Sequence, residues 1–183
     1  MIEERLESLK GKGIFSSLDL TSGYWQFAVE PSSRKLTAFI SHQGLFEFTR
    51  MPFGLCNAGA TIQRAMEQML RDVENSMAYV DDIMTSSLNF EDHLGDLRDV
   101  FEVIRKHKLK VKARKCVFGA KEVKFLGFLV SKNGIRVCPS RSECIKNYPQ
   151  PLNVRNIKEF LGLASYYRWG IMALAFSDSV YSR

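Results

Sequence analysis

Ser76-Met77-Ala78-Tyr79-Val80-Asp81-Asp82-Ile83-Met84-Thr85-Ser86 sets two adjacent carboxylates between two short apolar runs. In an extended chain successive side chains point to opposite faces, so Ala78 and Val80 face one way while Met77, Tyr79 and Asp81 face the other. The pattern predicts a tight hairpin with Asp82 in the turn and residues 83–86 returning as the second strand. Upstream, Ile14-Phe15-Ser16-Ser17-Leu18-Asp19-Leu20 alternates in the same way, with Ile14, Ser16, Leu18 and Leu20 on one face and Phe15, Ser17 and Asp19 on the other. If these strands are neighbours, Asp19 meets Asp81. Carboxylates brought close together resist ionisation, so the arrangement is costly unless a cation compensates. Hard oxygen ligands with room for water and phosphate suit Mg²⁺, and two such ions stabilise both the attacking and the leaving oxygen of a phosphoryl transfer. Asp-Asp is also a common turn dipeptide, so the pair alone does not decide between chemistry and a turn.

Composition fits a compact domain: 183 residues can bury a substantial core without a disulfide. Cys56, Cys116, Cys138 and Cys144 show neither Cys-x-x-Cys spacing nor a histidine at a metal-finger interval, and are expected to be reduced. The N-terminus is acidic at Glu3, Glu4 and Glu7 and lacks the apolar stretch of a signal peptide. No apolar run approaches the ~20 residues of a membrane helix. An intracellular chain is expected, in a cytoplasmic particle or the nucleus, with no membrane partner. The formal net charge of +6 suits a polyanionic partner. Arg105, Lys106, Lys108, Lys110, Lys112, Arg114, Lys115 and Lys121 concentrate that charge, opposed locally by Glu102. Such a segment either contacts nucleic-acid phosphates or forms a solvated helix end that complements the helix dipole.

Read along its length, the chain has an α+β order. Ile2, Leu6 and Leu9 form a helical stripe closed by Gly11-Lys12-Gly13. Strands are expected at residues 14–20, 25–30, 36–41 and 45–49, the last two joined at His42-Gln43-Gly44. Asn57 is a plausible cap for a helix whose Ile62, Ala65, Met66, Met69, Leu70 and Val73 face the core. Asn89 with Asp92 opens another, carrying Leu94, Leu97, Phe101 and Ile104. Residues 123–130 and 134–137 read as a hairpin around Ser131-Lys132-Asn133-Gly134, and Asn156 with Glu159 as a capping box before Ile157, Phe160, Leu161, Ala164 and Tyr167. A sheet with two helices on one face and carboxylates on the other is expected.

Leu18-Asp19-Leu20, Gly23-Tyr24-Trp25-Gln26, Arg34-Lys35-Leu36-Thr37-Ala38-Phe39, Met51-Pro52-Phe53-Gly54-Leu55, Asn57-Ala58, Gln63-Arg64, Tyr79-Val80-Asp81-Asp82 and Phe125-Leu126-Gly127-Phe128 follow one another in fixed order. Over roughly residues 14–168 this series closely resembles the reverse transcriptases of gypsy-like long-terminal-repeat retrotransposons and, more distantly, of retroviruses. Several ordered motifs are far more specific than any one of them. The resemblance implies an α+β polymerase palm, an antiparallel sheet with helices on one face, with partial fingers and the start of a helical thumb or connection. It implies RNA-directed DNA synthesis from deoxynucleotides on an RNA or DNA template-primer, with two Mg²⁺ ions and Mn²⁺ as an alternative. Asp19 and Asp81 would bind the metals, with Asp82 beside them in a less direct part. Tyr24 matches the aromatic that packs under the sugar and excludes a 2′-hydroxyl. Phe53 and Gly54 match the nucleotide-pocket loop, where Pro52 stiffens the chain and Gly54 lets backbone approach a ligand. Phe125, Leu126, Gly127 and Phe128 match the hairpin that holds the primer end, its aromatics serving equally well as core. Tyr79 and Val80 would shape the template-primer surface, and Lys110 and Lys112 would meet its phosphates.

The departures from the pattern are as informative. Similar enzymes begin with further finger strands whose basic residues grip the triphosphate, and continue after Tyr166-Tyr167-Arg168 into a ribonuclease H region, with an integrase beyond. The expected division is palm with partial fingers at 1–130, a thumb-proximal or connection segment at 131–168 and a divergent tail at 169–183, as in a copy shortened at both ends. Such a copy is either a polymerase domain or an inactive relic that binds nucleic acid or has no function. Gly59 stands where the family usually has proline and Ile62 where it usually has phenylalanine, which predicts a helix start looser by about 1 kcal/mol.

Overall fold

The computed structural model describes residue 9 and residues 11–166. The helix expected over residues 1–9, the motif at Tyr167-Arg168 and the tail at 169–183 lie outside the described residues, apart from Leu9 itself. In chain order the elements are β1 (Ile14–Asp19), a helical turn α1 (Gly23–Gln26), a 3₁₀ segment (Pro31–Thr37), β2 (Phe39–Ser41), β3 (Gly44–Phe46), α2 (Ala58–Met69), β4 (Ser76–Tyr79) and β5 (Asp82–Ser87). There follow α3 (Phe90–Lys106), a 3₁₀ turn (Ala113–Lys115), β6 (Val117–Ala120), β7 (Glu122–Phe125), β8 (Phe128–Ser131), β9 (Gly134–Val137), α4 (Pro139–Lys146) and α5 (Val154–Tyr166).

The central antiparallel sheet has the order β4-β5-β1-β6. Leu18 pairs with Ile83 and Asp19 with Asp82, so period-2 alternation sends the first pair to one face and the second to the other. On the first face Leu18, Leu20, Ala78 and Ile83 bury against Ile62 and Met66 of α2, Leu70 just beyond it, and Val100 and Ile104 of α3. Both helices therefore cover one face, as the pattern predicts. On the other face Phe15 and Met84 pack against Val123, Phe125, Phe128, Val130 and Val137 of the β7-β8-β9 sheet, and Leu9 joins them. That cover stops short of Asp19 and Asp82. Among the described residues no helix is long and apolar enough to cross a membrane.

Several expectations are corrected. Residues 25–30 are not a strand: Gly23–Gln26 is helical, and the chain beyond pairs with residues 49–51 through a single bridge, Ala28 with Arg50. The expected strand at 123–130 is broken at Leu126-Gly127, both at positive φ (52° and 81°), where the chain reverses between β7 and β8. Asn57 precedes α2 but its side chain makes no cap bond. Leu94 is 49% exposed, whereas Leu97, Phe101 and Ile104 pack on the core as expected and His93 and Val100 join them as buried positions of α3. The cap of α5 is Asn153, whose Oδ1 accepts from the Asn156 backbone N–H at 2.9 Å, rather than Asn156 itself. Asn89 does cap α3, accepting from Asp92 N–H at 2.9 Å. The four cysteines are free thiols, Cys138 buried and Cys56 and Cys144 exposed.

A buried polar chain ties α3 to the strands that carry the aspartates. His93 is fully buried, with Nε2 2.7 Å from Ser16 Oγ on β1 and Nδ1 2.8 Å from Ser87 Oγ on β5. Ser87 donates to Asp96 Oδ2 at 2.5 Å, so it must accept from Nδ1–H. Nε2 then accepts from Ser16, whose oxygen also receives the Gly119 N–H at 3.0 Å. The directions close on a neutral ring.

Burial holds His93 below its ordinary pKa, against the smaller pull of Asp96. In the fold the ring binds its proton less tightly than in the open chain, so its contribution is complete above about pH 6.5 and is lost as pH falls through the folded value. His93→Leu should cost about 2 kcal/mol by removing the acceptor of the buried Ser16 O–H and the donor to Ser87 Oγ. Urea denaturation across pH 5–8 checks it: the wild type should lose stability toward the acid end, and the variant should lose that slope.

Candidate active site

Asp19 ends β1 and Asp82 begins β5, directly opposite each other in register. Asp81 belongs to the turn: Tyr79 pairs with Asp82, leaving Val80-Asp81 as a two-residue loop. This corrects two expectations, since Asp82 is in a strand and the β1 neighbour is β5 rather than β4. The three carboxylates nevertheless lie close enough to interact, the charge of Asp19 acting on both Asp81 and Asp82 and that of Asp81 on Asp82. Leu20 N–H donates to Asp81 O at 2.8 Å, which fixes the loop beside the end of β1.

Val80 is held at φ 52°, a conformation that a β-branched residue avoids. The cause is visible. Gln63 of α2 accepts from Val80 N–H through Oε1 at 2.8 Å and donates through Nε2 to Ala78 O at 2.9 Å, clamping the turn to the helix layer. On its other side the Asp81 carboxylate lies over Gly23, where an added β-carbon would overlap Oδ1 and stand 2.5 Å from the carboxyl carbon. Gly23 is required by that close approach.

Beyond Gly23, the Tyr24 ring meets Phe53 with centroids 4.9 Å apart, and Trp25 meets Phe53 edge-on at 6.2 Å. The loop holding Phe53 is secured by Met51 N–H to Phe27 O at 2.9 Å, and Gly54 takes φ 92°, a conformation natural to glycine. Tyr24, Phe53 and Gly54 are thus brought together beside the aspartates. Tyr79 is 37% exposed on the open face. Phe125 and Phe128 are each 3% exposed, so their side chains anchor the hairpin and are not available to a primer; Leu126-Gly127 is the turn they present. The basic run divides. Arg105 and Lys106 fall in the last turn of α3, where the dipole favours them. Lys110 and Lys112 are exposed, their backbones bonded to Gln26 and Asp19: Lys110 N–H to Gln26 Oε1 at 2.6 Å, and Lys112 N–H to Asp19 O at 2.8 Å.

Burial, then the charge of Asp19, raises the Asp81 pKa; for Asp82 the same two causes act, with Asp81 added. Asp81 Oδ1 is buried and has no hydrogen-bond partner. A buried carboxylate oxygen left unpaired among like charges is costly, and a cation resolves the cost. No cluster of three His, Cys, Asp or Glu among the described residues closes around an ion by itself. Lys115 supplies a cation now, its Nζ 3.0 Å from Asp19 Oδ2. Sequence reading placed Lys115 in the basic run without assigning it to the site, and gave Gln63 and Gly23 no role. Their motifs were visible, but the contacts that use them join distant segments.

A four-stranded antiparallel sheet backed by two helices, with a carboxylate hairpin on its open face, is a polymerase palm. The reverse transcriptase (RNA-dependent DNA polymerase) family model matches residues 2–130, and the chain belongs to that family. It is 38% identical over 169 residues to the retrovirus-related Pol polyprotein from transposon 297 of Drosophila melanogaster, covering 91% of this chain and 16% of that protein. The Pol polyprotein from transposon gypsy of the same organism is also 38% identical, over 89% of this chain and 16% of its own length. The chain therefore spans about one sixth of the relatives it matches. Among solved structures, the foamy viral protease-reverse transcriptase in complex with double-stranded DNA superimposes with a TM-score of 0.83 at 27% identity, over 92% of this chain and 30% of that one. The same viral protein with an RNA/DNA hybrid gives 0.76 at 28% identity, over 87% and 22%.

Because the Asp81 and Asp82 pKa values are raised by folding, each binds its proton more tightly in the fold. Their own contribution to stability is complete below the open-chain carboxylate range and is lost as pH rises through it toward the folded values. Asp81→Asn should therefore raise the metal-free melting temperature at pH 7 by roughly 2 °C. The gain should vanish near pH 3.5 if the fold survives there, as differential scanning fluorimetry would show.

Proposed function

We propose that this chain forms the palm of an RNA-directed DNA polymerase, joining a deoxynucleotide to a primer 3′-hydroxyl on an RNA or DNA template. The observation that carries the reading is the buried, unpartnered Asp81 Oδ1, set over Gly23 and beside Asp19 and Asp82. Asp19 and Asp81 would hold two Mg²⁺ ions, or Mn²⁺ in their place, with Asp82 adding charge from the strand opposite Asp19. Bound there, the ions supply Lewis-acid stabilisation of the attacking and leaving oxygens. In the reaction the hydroxyl gives its proton to water, its oxygen bonds to the α-phosphorus, and the bond from that phosphorus to the bridging oxygen breaks as pyrophosphate leaves.

The chain's own residues position the reactants. The Tyr24 ring, backed by Phe53, offers a flat apolar face to the sugar, and its bulk rejects a 2′-hydroxyl sterically. Gly54 lets the loop backbone approach the nucleotide. Leu126-Gly127 offers backbone to the primer end while Phe125 and Phe128 hold that turn against the sheet. Tyr79 and Val80 border the template-primer surface, and Lys110 and Lys112 meet its phosphates, a contact independent of sequence. Ribonuclease H and integrase are proposed as separate domains of the intact element, since the Pol polyproteins it resembles are about six times longer.

Primer extension on an RNA template with Mg²⁺ tests the reading. Asp81→Asn should abolish incorporation while primer-template binding persists. Gly23→Ala should lower the rate by about a hundredfold or more by displacing the Asp81 carboxylate. Duplex affinity should fall steeply with salt and vary little with base sequence. A folded protein that binds duplex yet gives no extension product would defeat the assignment.

A further inference from the structure

Lys115 sits in a place the reaction as described does not use. Its Nζ donates to Asp19 Oδ2 at 3.0 Å, although the lysine side chain is 57% exposed and the aspartate only 23%. The contact is built in by the backbone. Leu20 bridges Val111, Lys112 N–H bonds Asp19 O at 2.8 Å, and Lys115 N–H returns to Lys112 O at 2.8 Å, closing the 3₁₀ turn. The root of the lysine is therefore fixed beside β1 while its ammonium is free to swing.

We propose that Lys115 is an internal counter-cation that occupies Asp19 in the metal-free protein and is displaced into solvent when a divalent ion binds. The inference rests on the reading that the aspartates hold metal. A divalent ion would bind a carboxylate oxygen at about 2.1 Å, which brings it against an ammonium already on Oδ2. Two cations that close repel, and the monovalent one leaves because its long exposed stem is readily rehydrated. Asp19, then Asp82 and Asp81, draw on the ammonium, and it lowers their repulsion in return. Asp19 is thus paired both with and without the metal, while Asp81 Oδ1 stays unpaired until an ion binds, and part of the metal's binding energy goes to expelling the lysine.

The test is Mn²⁺ titration of the metal-free protein without nucleotide, with free ion counted by electron paramagnetic resonance. Lys115→Met should bind Mn²⁺ about threefold to fivefold more tightly than wild type at low salt, the advantage shrinking as salt rises. Lys115→Gln should behave the same way, guarding against a folding defect peculiar to one variant. Lys115→Arg should restore wild-type affinity. Equal or weaker binding by both neutral variants, with the wild type still binding and Asp81→Asn weakened, overturns the counter-cation role and leaves the metal site standing. No Mn²⁺ binding by any of these proteins overturns both.

Discussion

The register of β1 against β5 is the constraint from which the rest of the molecule follows. Pairing Leu18 with Ile83 sends both into the helix layer, and by the same step pairs Asp19 with Asp82 on the opposite face. A slip of one residue would turn leucine outward and aspartate inward. Burying two large aliphatic side chains is worth roughly 2 kcal/mol each, which exceeds the repulsion between partly solvated carboxylates. The core therefore enforces the charge cluster. The β7-β8-β9 sheet covers only the part of that face carrying Phe15 and Met84, leaving the acidic end open.

Polar contacts refine what the register imposes. His93 bonds both β1 and β5 from within α3, so the two aspartate-bearing strands share one anchor. Gln63 does the same for the turn from α2, and its bond to Val80 N–H accounts for a valine at positive φ. Strain at that turn is held by the surrounding structure, as at sites whose geometry is set by function. Gly23 completes the arrangement by leaving room for the Asp81 carboxylate.

Much of this was legible in the sequence because it depends on period-2 alternation. The faces of residues 14–20 and 76–80, the helices on one face and the aspartates on the other follow from side-chain direction alone. The position of the turn did not. Asp-Asp has the stronger local turn preference, whereas the structure turns at Val80-Asp81 because a glutamine from α2 holds the valine there. β6 was hidden for a similar reason: Val117–Ala120 follows a dense basic run, and only its pairing with β1 makes it a strand. The strand expected at 25–30 failed because Tyr24, Trp25 and Phe27 are aromatic enough to suggest one, while the Tyr24 and Trp25 rings serve the loop at Phe53 and Phe27 packs on the core instead.

The two sides of the site are held by different forces. On the carboxylate side the end of β1 is fixed by backbone hydrogen bonds from Leu20 N–H to Asp81 O and from Lys112 N–H to Asp19 O, and the ladder tolerates little displacement. On the nucleotide side the ordering comes from rings: Phe46 on Phe39, Phe39 and Trp25 on Phe48, and Trp25 and Tyr24 on Phe53. Each such contact adds about 1 kcal/mol and leaves the rings partly exposed, so that side can adjust to a ligand's shape while the aspartates stay in register. The departures in sequence fall on the adjustable side and its adjoining helix. Gly59 places no side chain against Tyr24, whose hydroxyl lies 3.4 Å from where a β-carbon would be. Ile62 is fully buried and keeps the start of α2 packed on the core despite the missing cap. A chain can thus vary around the ring side of the pocket without disturbing the charges on which its chemistry depends.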